Sequence, residues 1–168
     1  MKQFNNLNNN RGFTFIELIL YVSIVTIMLT SIIPFAWNII GSGAKSGTQQ
    51  EVFSQARFVS ERIKYEIRNA DGINSVSATS ISLDTSTDPT TVIDLLGGKI
   101  RIKYGAATVL ELNSDDTKIT SLTFTDYSLG NTKHIGFALT VESNSPAGAR
   151  QEFKETVTLR SSAEVRSN

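Results

Sequence analysis

Between Phe13 and Ile40 the chain runs for 28 residues with one formal charge, Glu17. A helix needs about 20 residues to cross about 30 Å of hydrocarbon, so the run is long enough to span a membrane. The rest of the 168-residue chain is about one domain long and folds around a core of its own once the oily run is set apart. The run is not an ordinary secretory signal, in which a basic stretch and a short apolar stretch precede a small-residue cleavage site. Here the polar leader MKQFNNLNNNRG meets the run directly, and "GSGAKSG" follows Ile40 with no Ala-x-Ala site. Lys2 and Arg11 lie on the leader side, which predicts a cytoplasmic leader and everything after Gly41 outside.

An acid at the centre of a membrane span costs roughly 2.5 to 3.5 kcal/mol on insertion scales and calls for a partner. The run holds no cation, so Glu17 either reaches headgroup water, being close to Gly12, or pairs with a charge from a chain end, a neighbouring subunit or another protein. Pro34 also has two readings. It removes a backbone donor and clashes with the preceding turn, so it either ends the spanning segment or softens the helix around Thr30 to Pro34. The hydroxyls of Thr26, Thr30 and Ser31 are placed to bond backbone carbonyls inside the bilayer.

Gly12 followed by Phe13, Thr14, Glu17 and an unbroken apolar helix resembles the class III signal of type IV pilins and type II secretion pseudopilins. The resemblance covers Arg11 to Pro34. It implies that a prepilin peptidase cuts between Gly12 and Phe13 and methylates the new amino terminus at Phe13. Thr14 and Glu17 are then assembly residues, Glu17 neutralising the amine of a neighbouring subunit, and Pro34 stands where many pilins carry a helix-bending proline. The implied partners are the peptidase, other pilin or pseudopilin subunits, an inner-membrane assembly platform and, before assembly, membrane lipid. The implied location is a single pass through the cytoplasmic membrane with the carboxy-terminal region outside, followed by a periplasmic or cell-surface filament.

Beyond the run, "GSGAKSG" at 41–47 fails as a phosphate-binding loop, because Lys45 follows Ala44 rather than glycine and no strand precedes it. A flexible neck or a locally loosened helix is expected there. Val52, Ala56, Val59, Ile63, Ile67 and Ala70 recur at steps of three and four, the stripe of an amphipathic helix over 48–72 that stops near Asn69 to Gly72. Phe53 and Phe58 flank the stripe and either widen its core face or meet neighbouring subunits. The period then changes to two. Strands are expected near 91–96, 99–104, 107–112, 118–127, 134–143 and 151–161, in one antiparallel meander covered by the stripe. Residues 73–90 read as a connection with a short strand at Ile81 to Leu83. The expected fold is α+β, pilin-like: a long amino-terminal spine helix, half transmembrane and half amphipathic, packed on an antiparallel sheet in residues 73–168.

Catalytic constellations are missing, and the reading is of a protein that is not an enzyme. There is no cysteine, and the lone histidine, His134, opens a strand on its solvent side. Asp84 with Asp88, or Asp115 with Asp116, are spare carboxylates for calcium, but no spaced ligand set surrounds them, so neither metal nor cofactor is assigned. Lys99, Arg101 and Lys103 form a basic strip. With Lys plus Arg and Asp plus Glu equal at 16 each, a solvated sheet face is preferred to nucleic-acid binding. The cysteine-free carboxy-terminal region looks similar to minor pseudopilins of the J type or minor pilins of the W type. The function expected is therefore a structural subunit, a minor pilin or pseudopilin, with a major pilin or a tip module for adhesion or DNA uptake as the alternative.

Overall fold

A computed structural model describes residues 12–86, 90–146, 148, 150 and 153–166. The elements are helix α1 (Phe15–Asn69) and strands β1 (Gly72–Ser77), β2 (Ser80–Asp84), β3 (Thr91–Leu96), β4 (Lys99–Tyr104), β5 (Leu110–Glu111), β6 (Thr117–Asp126), β7 (His134–Ser143) and β8 (Thr156–Glu164). The chain divides into two compact units, one up to Gly41 and one from Ser42 onward. The α+β, pilin-like class is as expected: a long amino-terminal helix packed on antiparallel sheets.

In the second unit the predicted stripe is the core. Val52, Ala56, Val59, Ile63 and Ile67 are completely buried, together with Ile81, Leu83, Ile93 and Ile100 of one sheet and Ile135, Leu139 and Val141 of the other. The strands form two sheets rather than one meander: β1-β2-β3-β4-β5 and β6-β7-β8, antiparallel throughout. The division falls after β5, where Asn113 is buried and makes bonds to both sides. Its Oδ1 accepts from Ile100 N at 3.0 Å, and its Nδ2 donates to Gly98 O at 3.2 Å and Thr117 O at 2.8 Å. One amide side chain thus bonds backbone groups on both sides of the change of sheet.

The seam continues along β6, whose free edge faces the hairpin tips of the first sheet. Ile119 N donates to Gly98 O at 2.9 Å and Phe124 N to Ala78 O at 2.9 Å. Turn carbonyls therefore cover an edge that would otherwise offer open donors. Gly98 is doubly constrained. It and Gly97 have positive φ, 81° and 61°, as a two-residue hairpin loop of this hand requires, and a Cβ on Gly98 would lie 2.8 Å from Lys118 Cγ. A bulge in β6 between Ile119 and Ser121 explains why buried positions shift from odd (Thr117, Ile119) to even (Leu122, Phe124) along one strand.

Several expected boundaries are corrected. Residues 41–47 are helical and belong to α1, so no neck interrupts the backbone. Three glycines each cost about 1 kcal/mol in a helix, but a break would cost two helix ends and a second nucleation. Thr48 Oγ1 also ties back to Ala44 O at 3.1 Å. The amphipathic helix ends at Asn69, and Gly72 opens β1 instead of capping the helix. Residues 72–84 form a full hairpin rather than a connection with one short strand. Its first strand, Gly-Ile-Asn-Ser-Val-Ser, is an edge strand with a bulge between Ile73 and Ser75, which hides the alternation. The strand expected at 107–112 shrinks to Leu110–Glu111, and the last strand begins at Thr156, leaving Phe153 outside it. Phe53 and Phe58 are half exposed or more and do not widen the core face.

A polar cluster closes the helix against the first sheet. Glu66 is 6% exposed; its Oε1 accepts from Tyr104 OH at 2.6 Å and lies 2.9 Å from Arg62 Nη2, which donates to Tyr104 OH at 2.7 Å. The Arg62 guanidinium also lies over the Tyr65 ring. Burial, and next its bond to Glu66, push the Tyr104 hydroxyl above its ordinary value of 10.0. A raised folded-state pKa contributes stability that is complete below the unfolded value and lost as pH rises through the folded one. The expected outcome is a stability advantage of the wild type over Tyr104→Phe that holds up to pH 10 and shrinks above it, followed by denaturant titration in detergent. In the same assay Asn113→Ala, which takes the side-chain partner from Ile100 N and Thr117 O while Gly98 O keeps Ile119 N, is expected to lose about 1–3 kcal/mol.

Candidate functional site

The residues singled out at the amino-terminal junction lie on either side of the start of α1. Gly12, Phe13 and Thr14 precede α1, and Phe15 is its first residue. Thr14 caps the helix: its carbonyl accepts from Leu18 N at 3.2 Å and its Oγ1 accepts from Glu17 N at 3.3 Å. Thr14-Phe15-Ile16-Glu17 has the pattern of a capping box, with the threonine half made. Glu17 in the first turn also sits at the positive end of the helix dipole. The earlier reading of Thr14 and Glu17 as assembly residues missed this local role, although Thr-x-x-Glu before an apolar run announces it.

This turn opens a segment with no cover of its own. From Gly12 to Ile40 every residue is exposed except Val25, which is half-buried, and Phe13 and Phe15 are 72% and 78% exposed. The segment is long and apolar enough to cross a membrane. Among the described residues Glu17 forms no salt bridge. Three hydroxyls of the segment are bonded within the helix: Ser23 Oγ donates to Ile19 O at 2.8 Å, Thr26 Oγ1 to Val22 O at 2.8 Å, and Thr30 Oγ1 to Thr26 O and Ile27 O at 3.0 and 2.9 Å. Thr26 and Thr30 thus bond carbonyls as expected, and in hydrocarbon such bonds satisfy these three hydroxyls. Pro34 lies inside α1, about five turns from its start, and the helix runs through it. Having no N–H, it leaves the Thr30 carbonyl without its usual donor.

Among the described residues a Cβ on Gly12 would have no atom within 4 Å, and its φ is not in the left-handed region.

The other candidates are tied into the fold. Arg101 is the cross-strand partner of Asp94 and grips it with two nitrogens, Nε to Oδ1 at 2.8 Å and Nη2 to Oδ2. Lys99 Nζ donates to Asn113 O, Ser114 O and Asp115 Oδ1 at 3.1, 2.9 and 2.7 Å. The basic strip is therefore mostly neutralised in place, and the bond from Lys99 holds the Asp115 carboxyl below its ordinary value. The Asp116 backbone carbonyl accepts from Asn144 N at 2.8 Å. His134 opens β7, half-buried, with its ring 6.3 Å from that of Tyr127. Among the described residues no three His, Asp or Glu side chains gather as metal ligands. Lys2, Arg11 and Asp88 lie outside the described residues.

Residues 7–33 match the family model described as the prokaryotic N-terminal methylation motif, which spans the leader junction, Thr14, Glu17 and most of the apolar segment. No curated protein and no solved structure matches the chain.

Proposed function

We propose, from the premise that this chain is a type IV pilin-like substrate of prepilin peptidase, that it is a minor pilin or pseudopilin of a pilus or type II secretion filament. It is cut between Gly12 and Phe13, methylated at Phe13, and assembled through its amino-terminal helix with no catalysis of its own. The observation that carries this reading is the union of the methylation motif with an apolar helical segment that stands exposed among the described residues. Such a segment needs an apolar surrounding from outside, lipid first and then the equivalent segments of other subunits. The minor-subunit branch rests on the resemblance, read from the sequence, of the cysteine-free carboxy-terminal region to that group.

Within this reading Glu17 has two partners in succession. Before assembly the first-turn dipole and interfacial water ease its charge. After cleavage, Phe13 of a neighbouring subunit carries a cationic amine, and pairing with it offsets the desolvation of both charges at low dielectric. A carboxylate of one copy meeting the terminus of the next is a heterologous contact, which generates an open helical stack. Pro34 provides a place where the helix loosens as subunits repack.

The test is intact-mass and amino-terminal analysis after co-expression with a prepilin peptidase. Loss of residues 1–12 and a gain of one methyl group on Phe13 are expected; retention of the leader would end the reading. Glu17→Gln is expected to be processed as wild type and to enter filaments at least ten-fold less often, in line with a loss of about 1.4 kcal/mol or more from a charge-assisted contact. Equal incorporation of the variant would show that the carboxylate only meets interfacial water.

A further inference from the structure

We propose that Thr14 is a positioning residue for leader removal: by capping α1 it keeps the Gly12–Phe13 peptide bond outside the helix, open to a peptidase. This rests on the prepilin reading above and adds a role that the motif match does not assign. The reaction is hydrolysis. Water adds to the Gly12 carbonyl carbon, the bond to the Phe13 nitrogen breaks, and a carboxylate on Gly12 and an amine on Phe13 result. Attack needs one face of that carbonyl free. Inside an α-helix the Gly12 carbonyl would be bonded to Ile16 N and the Phe13 carbonyl to Glu17 N, both screened by the following turn.

The structure shows how that is avoided. The donor that would draw the Phe13 carbonyl into the helix is Glu17 N, and it is given instead to Thr14 Oγ1, at 3.3 Å. The Thr14 carbonyl takes Leu18 N, so Thr14 accepts twice at the point where the helix starts. Gly12, Phe13 and Thr14 accordingly lie outside the helix and exposed. The stretch that follows is helical without interruption for 55 residues, and an existing helix adds residues at its end without a new nucleation step. A stop at this end therefore needs a specific device. Proline could supply one but would alter the backbone at the cut; a side-chain oxygen acts without touching the scissile bond. Among the described residues none comes within 4 Å of a Cβ built on Gly12, on the other side of the bond.

The cap role is separated from direct recognition of the hydroxyl by four variants of the full-length chain in detergent: Thr14→Ser, Thr14→Asn, Thr14→Val and Thr14→Ala. Cleavage by purified prepilin peptidase is followed by mass spectrometry to give kcat/KM, and the helix start is read from amide and Cα chemical shifts of Gly12 to Leu18. Ser and Asn keep an oxygen able to cap and are expected to be cut within about two-fold of wild type. Val keeps the shape without the oxygen, and with Ala it is expected to be cut roughly five-fold more slowly, the effect of a lost cap. Helical shifts in both should then reach back through Phe13. Thr14→Val cut as fast as wild type would overturn the proposal. So would Thr14→Asn being as slow as Val with an unchanged helix start, since the peptidase would then be reading the threonine itself. If the unaltered chain is not cut at all, the prepilin reading fails first, and that arm of the experiment shows it independently.

Discussion

The burial of one helical stripe organises everything after Ser42. Val52, Ala56, Val59, Ile63 and Ile67 have no exposed surface, and an edge-bulged five-stranded sheet and a three-stranded sheet share the same apolar cluster with them. Neither sheet has another helix among the described elements to cover its oily face. Removing that stripe would expose both faces together, so the sheets are held by their common cover as much as by their seam. Arg62 and Glu66 of the same helix bond Tyr104 of β4 and fix the helix laterally, since a buried carboxylate tolerates little displacement from its two donors.

The same helix obeys a different rule before Gly41. There apolar residues surround the axis instead of lining one side, as expected where the surrounding medium, not the rest of the chain, provides the contacts. The local chemistry agrees with an apolar medium: hydroxyls bond backward to carbonyls, and the one acid is placed in the first turn. Glu17 has a modest local stabilisation from its place in the first turn of the helix. The proposed pairing with the terminus of a neighbouring subunit would add to it.

Much of this was legible in the sequence because periodicity is a local property. The steps of three and four from Val52 to Ile67, and the alternation in Lys99–Tyr104 and His134–Ser143, report directly which face is buried. The methylation motif over residues 7–33 was legible because it too is a local pattern, carried by the resemblance of Gly12, Phe13, Thr14 and Glu17 to a known signal. What escaped was either non-local or hidden by an irregularity. The split into two sheets depends on Asn113, whose partners Ile100 and Gly98 are more than a dozen residues away. The bulge beside Asn74 scrambled the first strand, and the bulge at Thr120 reversed parity within β6. The glycines of 41–47 suggested a break because propensity is a per-residue quantity, whereas the cost of ending a helix is borne by the whole element.

The docking of two hairpin tips on β6 reverses a usual expectation about where a fold tolerates change. Tight turns at the ends of hairpins are commonly the places where residues are gained and lost with little effect. Here the carbonyls of Ala78 and Gly98 are partners of Phe124 N and Ile119 N, so lengthening either turn by one residue would move an acceptor away from a donor that has no other. Diversification of this domain is thereby steered away from those two tips and toward the Gly130–Asn131 turn, where exposed residues carry no such duty. Two chains sharing this seam would differ in that turn long before they differed in the lengths of their first two hairpins.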